Sequence, residues 1–415
     1  MLCKHSIETR PKLLVFLAAG ASLDLGIPST AILTQSILRD IQKPTTYYSN
    51  PVAAKAHLKA LLLALGQCYK RPNFEHVQHG LEVLSALIRS QNPKTVAQFR
   101  IAEAFLTSGL HSTFPKPVDP MWLTAMRHQF FHTLRSAMSE ADQSVILKTY
   151  WAAISGFLRQ LNDEFDLYVA TTNYDSIVER ALGWGPELQG FESIPGESPF
   201  RYGGHVAPPR LIHMHGSLSF GYRDHGSDPN RFIFEDNHED LYYHPDTLKA
   251  FSTWFGRSSQ TSMAGRDTLA GPIITGLDKP DKLLPEPYLS YYRRFQEFCT
   301  TIPRVIIAGY GFGDVHLNAV LGRLTRWHGP RRRIAVIDYW KSSSWAPSSV
   351  WARDKLHFFR TIAQLAEDPM PLNCPSWPDP WTPQGHGKGL LEVYFCGMAG
   401  TINNHRDRIV TFLRS

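Results

Sequence analysis

Asn173 stands in ATTNYDSI and His215 in HMHGSL, each where a short apolar run gives way to a turn. A carboxamide there offers one acceptor and two donor hydrogens, which suits holding a sugar hydroxyl or orienting an attacking water. An imidazole can accept a proton near neutral pH. Gly216, directly after the histidine, lets a ligand come close to the backbone. The same residues have plainer readings. An Asn with an Asp just behind it at a strand-to-helix junction is also an ordinary Asx turn and helix cap. His213 and His215 form an H-x-H pair that could bind a metal, but no Cys, His or Asp cluster at ligand spacing stands nearby to complete it. His213 therefore reads as structural, and Asp175 as a brace for the turn or a cap for SIVERAL.

Three other strand ends could bring backbone or carboxylate to a nucleotide. KLLVFLAAGASLDLGIPST runs from Lys12 to Thr30, an apolar strand ending in a small-residue turn at Gly20, with Ala18 and Ala19 where glycine might be expected. Lys4, Arg10 and Lys12 ahead of the run would also suit a secretory signal. The continuation through Asp24, Gly26, Pro28 and a Ser/Thr able to cap the next helix is turn chemistry instead, and favours the strand. GYGFGDVHLN carries Gly309, Gly311 and Gly313, with Asp314 and Asn318 placed to hydrogen-bond within the loop and helix start. Its spacing is not G-x-G-x-x-G, which weakens a hydride-transfer reading. Asp338 ends AVID, where a carboxylate could meet a ribose hydroxyl or simply face solvent.

The elements that must position these residues follow from chain order. From Ser29 to about Phe165 the pattern is helical: Pro51 sits where a first turn tolerates it, and NFEHVQHGLEVLSALIRS keeps apolar residues three and four apart. DLYVATT, RLIHMHG, RVIIAG, RIAVID and LEVYFCG then have strand length, between helical DSIVERAL, PYLSYYRRFQEFCT and DVHLNAVLGRLTRW. Such alternation predicts an α/β fold with a mostly parallel sheet covered by helices on both faces, and a large helical insertion over 40–165 after the first strand. GRSSQTSMAGRDTLAG reads as a loop, and LNCPSWPDPWTPQGHGKG as an irregular stretch within a C-terminal extension, 339–415, of unassigned role.

Bulk properties narrow the partners. The 415 residues are 43% apolar, enough for a large core, and no run approaches the length of a membrane span. Five scattered cysteines without a C-x-x-C pair suit a reducing cytoplasm and leave no four-cysteine zinc ribbon. A net charge of +6 is a mild excess, and its one cluster, Arg331–Arg333, reads as a polar loop entering a strand, with nucleic-acid contact the less expected alternative.

The order AAGAS-x-x-x-GIPS, TTNYD, HGS and GYGFGD-x-HLN resembles that of bacterial sirtuin-like proteins, especially those that hydrolyse NAD in antiphage defence. The resemblance covers roughly 12–40 and 166–340, with NFEHVQHGLEVL the one family-like piece of the insertion. It implies a single sirtuin-like domain over 1–415 on a Rossmann-like sheet, with Asn173 and His215 as the catalytic pair. NAD contacts are implied for Ala19, Gly20, Ala21, Ser22 and Asp24 in the first turn, and for Thr172, Asp175 and Gly216 beside the pair. Gly309, Gly311, Gly313 and Asp314 would line the later loop, and Asp338 the adenosine half. Without the zinc ribbon of the deacetylating branch, the implied reaction is water attack on the ribosyl carbon, with no metal, releasing nicotinamide and ADP-ribose. The resemblance further implies a regulated NAD-depleting effector of abortive infection, a homo-oligomer, and a HerA-type ATPase partner encoded nearby. No Walker loop is present, so an ATPase or nucleic-acid sensor would sit on another chain. A module that senses NAD or ADP-ribose without turnover, a zinc-free protein deacylase or ADP-ribosyltransferase, and a DNA-binding protein stay open as alternatives.

Overall fold

The computed structural model describes residues 10–41, 51–69, 71–90, 120–193, 198–201, 207–222, 241–247, 260–261, 267–269, 273–276, 279–283, 286–340, 356–368, 380–385 and 387–415. Its centre is the apolar run after Lys12. Strand β1 (Lys12–Leu17) turns Leu13, Val15 and Leu17 into one hydrophobic cluster and Leu14 and Phe16 into another. A strand buried on both faces has no polar alternation, which is why the run reads as continuously apolar.

Around it lie β2 (Asp166–Thr171), β3 (Leu211–His213), β4 (Arg304–Ala308), β5 (Arg333–Ile337) and β6 (Leu391–Tyr394). They form one sheet in the order β6-β5-β4-β1-β2-β3, and every pairing is parallel. The chain builds outward from β1 through β2 to β3, then crosses back to lay β4 on the other side of β1. The strand order therefore reverses between β1 and β4, and open α/β sheets bind ligands at the carboxyl ends beside such a reversal.

The described part of the insertion holds the helices α1 (Thr30–Asp40), α2 (Pro51–Cys68), α3 (Phe74–Ser90), α4 (Pro120–Ser144) and α5 (Trp151–Glu164). Ser29 caps α1 by accepting from the Ile32 amide, and Pro51 opens α2. Residues from these helices join the Leu13/Val15 cluster, together with α6 (Ile177–Leu182). The opposite face is covered by α7 (Tyr288–Thr301), α8 (Val315–Leu321), α9 (Arg323–His328) and α10 (Leu356–Ala366).

Three elements depart from the sequence expectations. DVHLNAVLGRLTRW forms two helices, α8 and α9, separated at Gly322, the residue with least helical preference in the run. The stretch expected as a loop holds a short antiparallel ladder, Gln260–Thr261 with Asp267–Leu269, and its other residues lie outside the described ones. Residues after 339 supply part of the sheet domain: β6 is its sixth strand, and α11 (Gly397–Arg414) buries Met398, Ile402, Ile409 and Leu413 against the β1 side. The basic cluster enters β5 as a polar loop does. Arg332 is buried, pairs with Glu367 at 2.7 Å and donates to the Gly329 carbonyl. Among the described residues no helix is long and apolar enough to cross a membrane.

Candidate active site

At the strand-order reversal the turns after β1 and β4 touch through their backbones. The Gly20 amide donates to the Gly309 carbonyl at 3.0 Å, and Ala18 donates to Ala308 at 2.9 Å. A Cβ on Gly20 would lie 2.7 Å from the Gly309 Cα, and one on Gly309 would lie 2.0 Å from the Ala21 nitrogen. Glycine at both positions is therefore a packing requirement of the fold itself. Gly309 also has φ 67°, in the left-handed region. Beyond Gly20 the chain makes one helical turn, Ala19–Ser22, then a 3-10 turn, Leu23–Leu25. The long helix waits until Thr30. The amides of Gly20 and Ala21 are committed to Gly309 and Ala18, so the turn offers less open backbone than its composition led us to expect.

Gly311 and Gly313 differ from that pair. A Cβ at either would meet no described atom within 4 Å beyond its own chain neighbours. The loop is instead fixed from behind: Phe312 is buried, Asn318 Nδ2 donates to its carbonyl at 2.8 Å, and Tyr310 Oη donates to Asn318 Oδ1 at 3.0 Å. Open space in front of small residues on a braced loop fits a ligand backbone or phosphate.

The turn after β2 carries a buried polar network. Asn173 Nδ2 donates to the Ala18 carbonyl at 3.2 Å and to Ser22 Oγ at 2.8 Å, and Ser22 Oγ donates to Asp175 at 2.9 Å. Both amide hydrogens are engaged by the β1 turn. Among the described residues nothing donates to Asn173 Oδ1. Behind this group, Asp142 of α4 accepts from the Ser176 amide and hydroxyl and from Arg180. Burial, reinforced by the nearby Asp142 carboxylate, pushes the Asp175 carboxyl up to about 7. Asp175 accepts from Ser22 Oγ and from the Ile177 amide within the turn.

His213 and His215 go separate ways. The strand ends at His213, whose Nε2 lies 3.0 Å from Glu179 and whose Nδ1 lies 3.3 Å from the Asn173 carbonyl. His213 is held between Glu179 and the Asn173 carbonyl, and the two rings do not share one set of partners. His215 lies in the following turn, ahead of Gly216 with φ 86°. Its side chain is 4% exposed, and its Nε2 has no hydrogen-bond partner among the described residues. The Asp314 carboxylate stands 4.0 Å from Nε2. Burial first, and then the Lys279 ammonium, hold the imidazole down to about 3, so it is neutral at pH 7.

Asn173 and His215 thus occupy neighbouring turns on the carboxyl edge, linked by main-chain bonds such as Met214 to Thr171 and Leu218 to Tyr174. The Asn173 side chain reaches toward the β1 turn, and His215 faces the β4–α8 loop. Thr172 and Gly216 share these turns. Two expected ligand contacts have other partners. Asp24 accepts from the Ala399 amide at the start of α11. Asp338 is nearly buried and accepts from the Tyr339 amide and from Trp340 Nε1. Asp314 differs from expectation in detail, because its carboxylate leaves the helix start uncapped and bonds Lys279 at 3.0 Å.

Lys279, Glu75 and Glu82 were not singled out from the sequence. Lys279 Nζ lies 2.9 Å from Glu75 of α3, and Lys282 Nζ lies 2.7 Å from Glu82 on the same helix. The one available signal was NFEHVQHGLEVL, which contains both glutamates.

No curated protein matches the chain in sequence. Solved structures that resemble it share little sequence. A Sir2 homolog in complex with NAD is 13% identical with a TM-score of 0.34, covering 98% of this chain and 90% of that one. A mutant Sir2 homologue bound to 2'-O-acetyl ADP ribose is 13% identical with a TM-score of 0.36, covering 98% and 92%. A structure described under the mechanism and regulation of Sir2 enzymes is 11% identical with a TM-score of 0.34, covering 98% and 93%. Within this chain, the stretch from Tyr168 in β2 to Phe358 in α10, residues 168–358, matches the family profile described as a SIR2-like domain.

Proposed function

We propose that this chain hydrolyses NAD at the bond between nicotinamide and ribose. The observation that carries the reading is the Asn173 carboxamide. Its two hydrogens are fixed on Ala18 and Ser22, which leaves Oδ1 aimed by the fold and unengaged beside the strand-order reversal. Support also comes from the unpartnered Nε2 of His215, the open space before Gly311 and Gly313, and the SIR2-like match over 168–358.

Cleavage of the ribosyl bond passes through an oxocarbenium-like centre. The water oxygen bonds to the anomeric carbon as the carbon–nitrogen bond breaks, its electron pair neutralises the pyridinium nitrogen, and one proton is released. Asn173 Oδ1 orients the attacking water. Neutral His215 accepts a hydrogen from a ribose hydroxyl and steadies the sugar as charge develops. Ala19, Ala21, Ser22, Thr172, Gly216 and the Gly309–Asp314 loop would hold the dinucleotide. Within this reading the protein is a regulated, cytoplasmic NAD-depleting effector of antiphage defence, working as a homo-oligomer with a HerA-type ATPase. The support for that wider role is the motif order in the sequence.

The test is product analysis after incubating the purified chain with NAD, with and without the product of the neighbouring gene. Nicotinamide and ADP-ribose in equal amounts, lost in Asn173→Ala and His215→Ala, are expected. Undiminished release from both variants would overturn the assignment. Calorimetric NAD binding without product would favour a sensor.

A further inference from the structure

Residues 273–276 cross the turn that holds His215. Ile273 bridges to Gly216, the Ile274 amide donates to the His215 carbonyl at 2.8 Å, and Tyr174 Oη donates to the Ile274 carbonyl at 3.1 Å. Two lysines among residues 279–283 bond α3 of the insertion, and they do different things. Lys282 bonds Glu82 and the Thr275 carbonyl. Lys279 bonds Glu75 on one side and Asp314 Oδ1 on the other, with only 13% of its side chain exposed.

The consequence lies at Asp314. Its second oxygen is the atom that stands 4.0 Å from His215 Nε2, beyond hydrogen-bond reach. A carboxylate free to move would close that gap and draw a proton onto the ring. The ammonium of Lys279 holds the carboxylate where it is, and Glu75 holds the ammonium. We propose that Lys279 is a positioning residue that keeps Asp314 off the imidazole, so that His215 Nε2 remains available as an acceptor. The helical insertion then takes part in the site through Glu75. This rests on the reading of His215 as a group that touches substrate.

The charged and titratable groups facing the imidazole are Lys279, Asp314 and His316. His316 is itself held low, chiefly by burial. With Lys279 replaced by methionine, a repelling cation is lost and Asp314 is released toward the ring. Both changes move the His215 titration upward.

The experiment follows the His215 ring by NMR on full-length protein with labelled histidine, together with NAD turnover across pH. Lys279→Met is expected to raise the His215 midpoint by about 1–3 pH units. Its kcat should fall roughly tenfold at low pH and recover as the ring deprotonates. Adding Asp314→Asn to that variant should return the midpoint toward the native value, which a merely structural role would not produce. Lys279→Gln, which keeps a donor without the charge, gives the same direction if the methionine variant does not fold. Lys282→Met is the control, and its midpoint should stay at the native value. An unchanged midpoint in the Lys279 variants, or an equal shift in Lys282→Met, overturns the proposal. The titration needs no NAD, so an inactive native protein would sink the hydrolase reading and leave this test intact.

Discussion

The Gly20 amide donates to the Gly309 carbonyl at 3.0 Å, so the first and fourth strand-end turns are locked together without any side chain between them. That contact separates two kinds of glycine in one loop. Gly309→Ala puts a Cβ 2.0 Å from the Ala21 nitrogen at a residue with φ 67°, and should destabilise the protein by about 2–4 kcal/mol. Gly311→Ala meets nothing and should stay within about 1 kcal/mol of native stability. If the open space belongs to NAD, Gly311→Ala nonetheless weakens its binding. Urea unfolding and calorimetric titration of the two variants check both halves.

Ser22 is the hinge between the Asn173 amide and the Asp175 carboxyl. Asn173→Ala should lower kcat by about 10²–10³-fold, since it removes the group that aims the water. Ser22→Ala leaves the carboxamide present with one anchor, so a smaller loss of about tenfold is expected. A stability decrease of about 1–2 kcal/mol should accompany it, from the buried partners left unmatched. Equal losses in the two variants would mean that Asn173 acts only through the turn.

The Asp175 carboxyl sets a pH dependence with an unusual sign. In the fold, burial and then Asp142 hold its proton to about 7, whereas the unfolded chain releases it near about pH 4. Between those values the folded state binds more protons, so stability falls as pH rises and the loss is complete above about 7. Asp142 is raised too, mainly by burial, and adds in the same direction. Asp175→Asn is expected to flatten the curve, gaining on the order of a few kcal/mol over the native protein at pH 8 and little at pH 5. Urea midpoints at the two pH values measure this, and a native curve that rises between them would refute it.

What the sequence made legible was local. Strands such as Val305–Ala308 announce themselves because a doubly covered strand needs an unbroken apolar run, and the turn residues follow directly behind. That Asn173 and Asp175 stand in a turn, and His213 at a strand end, could be read from their neighbours within three positions. Lys279 could not. It sits in loop-like DKPDK, and its partners come from a helix of the insertion and from the β4–α8 loop, where no spacing rule connects them. Asp24 and Asp338 were placed at the correct edge, but their hydrogen-bond partners depend on α11 and Trp340, which the strand pattern does not reveal. Position along the chain finds strand ends; which way a carboxylate turns there is decided by tertiary packing.

Asp24 tests that distinction directly. Its carboxylate accepts from the Ala399 amide at 2.8 Å, capping α11 from a distant part of the chain. Helix α11 has no side-chain cap of its own, and an anion at a helix N-terminus is favourable. Asp24→Ala should therefore lower stability by about 1 kcal/mol, and Asp24→Asn by less, because the amide oxygen still accepts. The residue follows immediately on the Ala19–Ser22 turn, so loosening it should raise the KM for NAD a few-fold while kcat holds. A variant with native stability and a large loss of NAD affinity would instead put Asp24 on the ligand, the contact expected from its place in the motif.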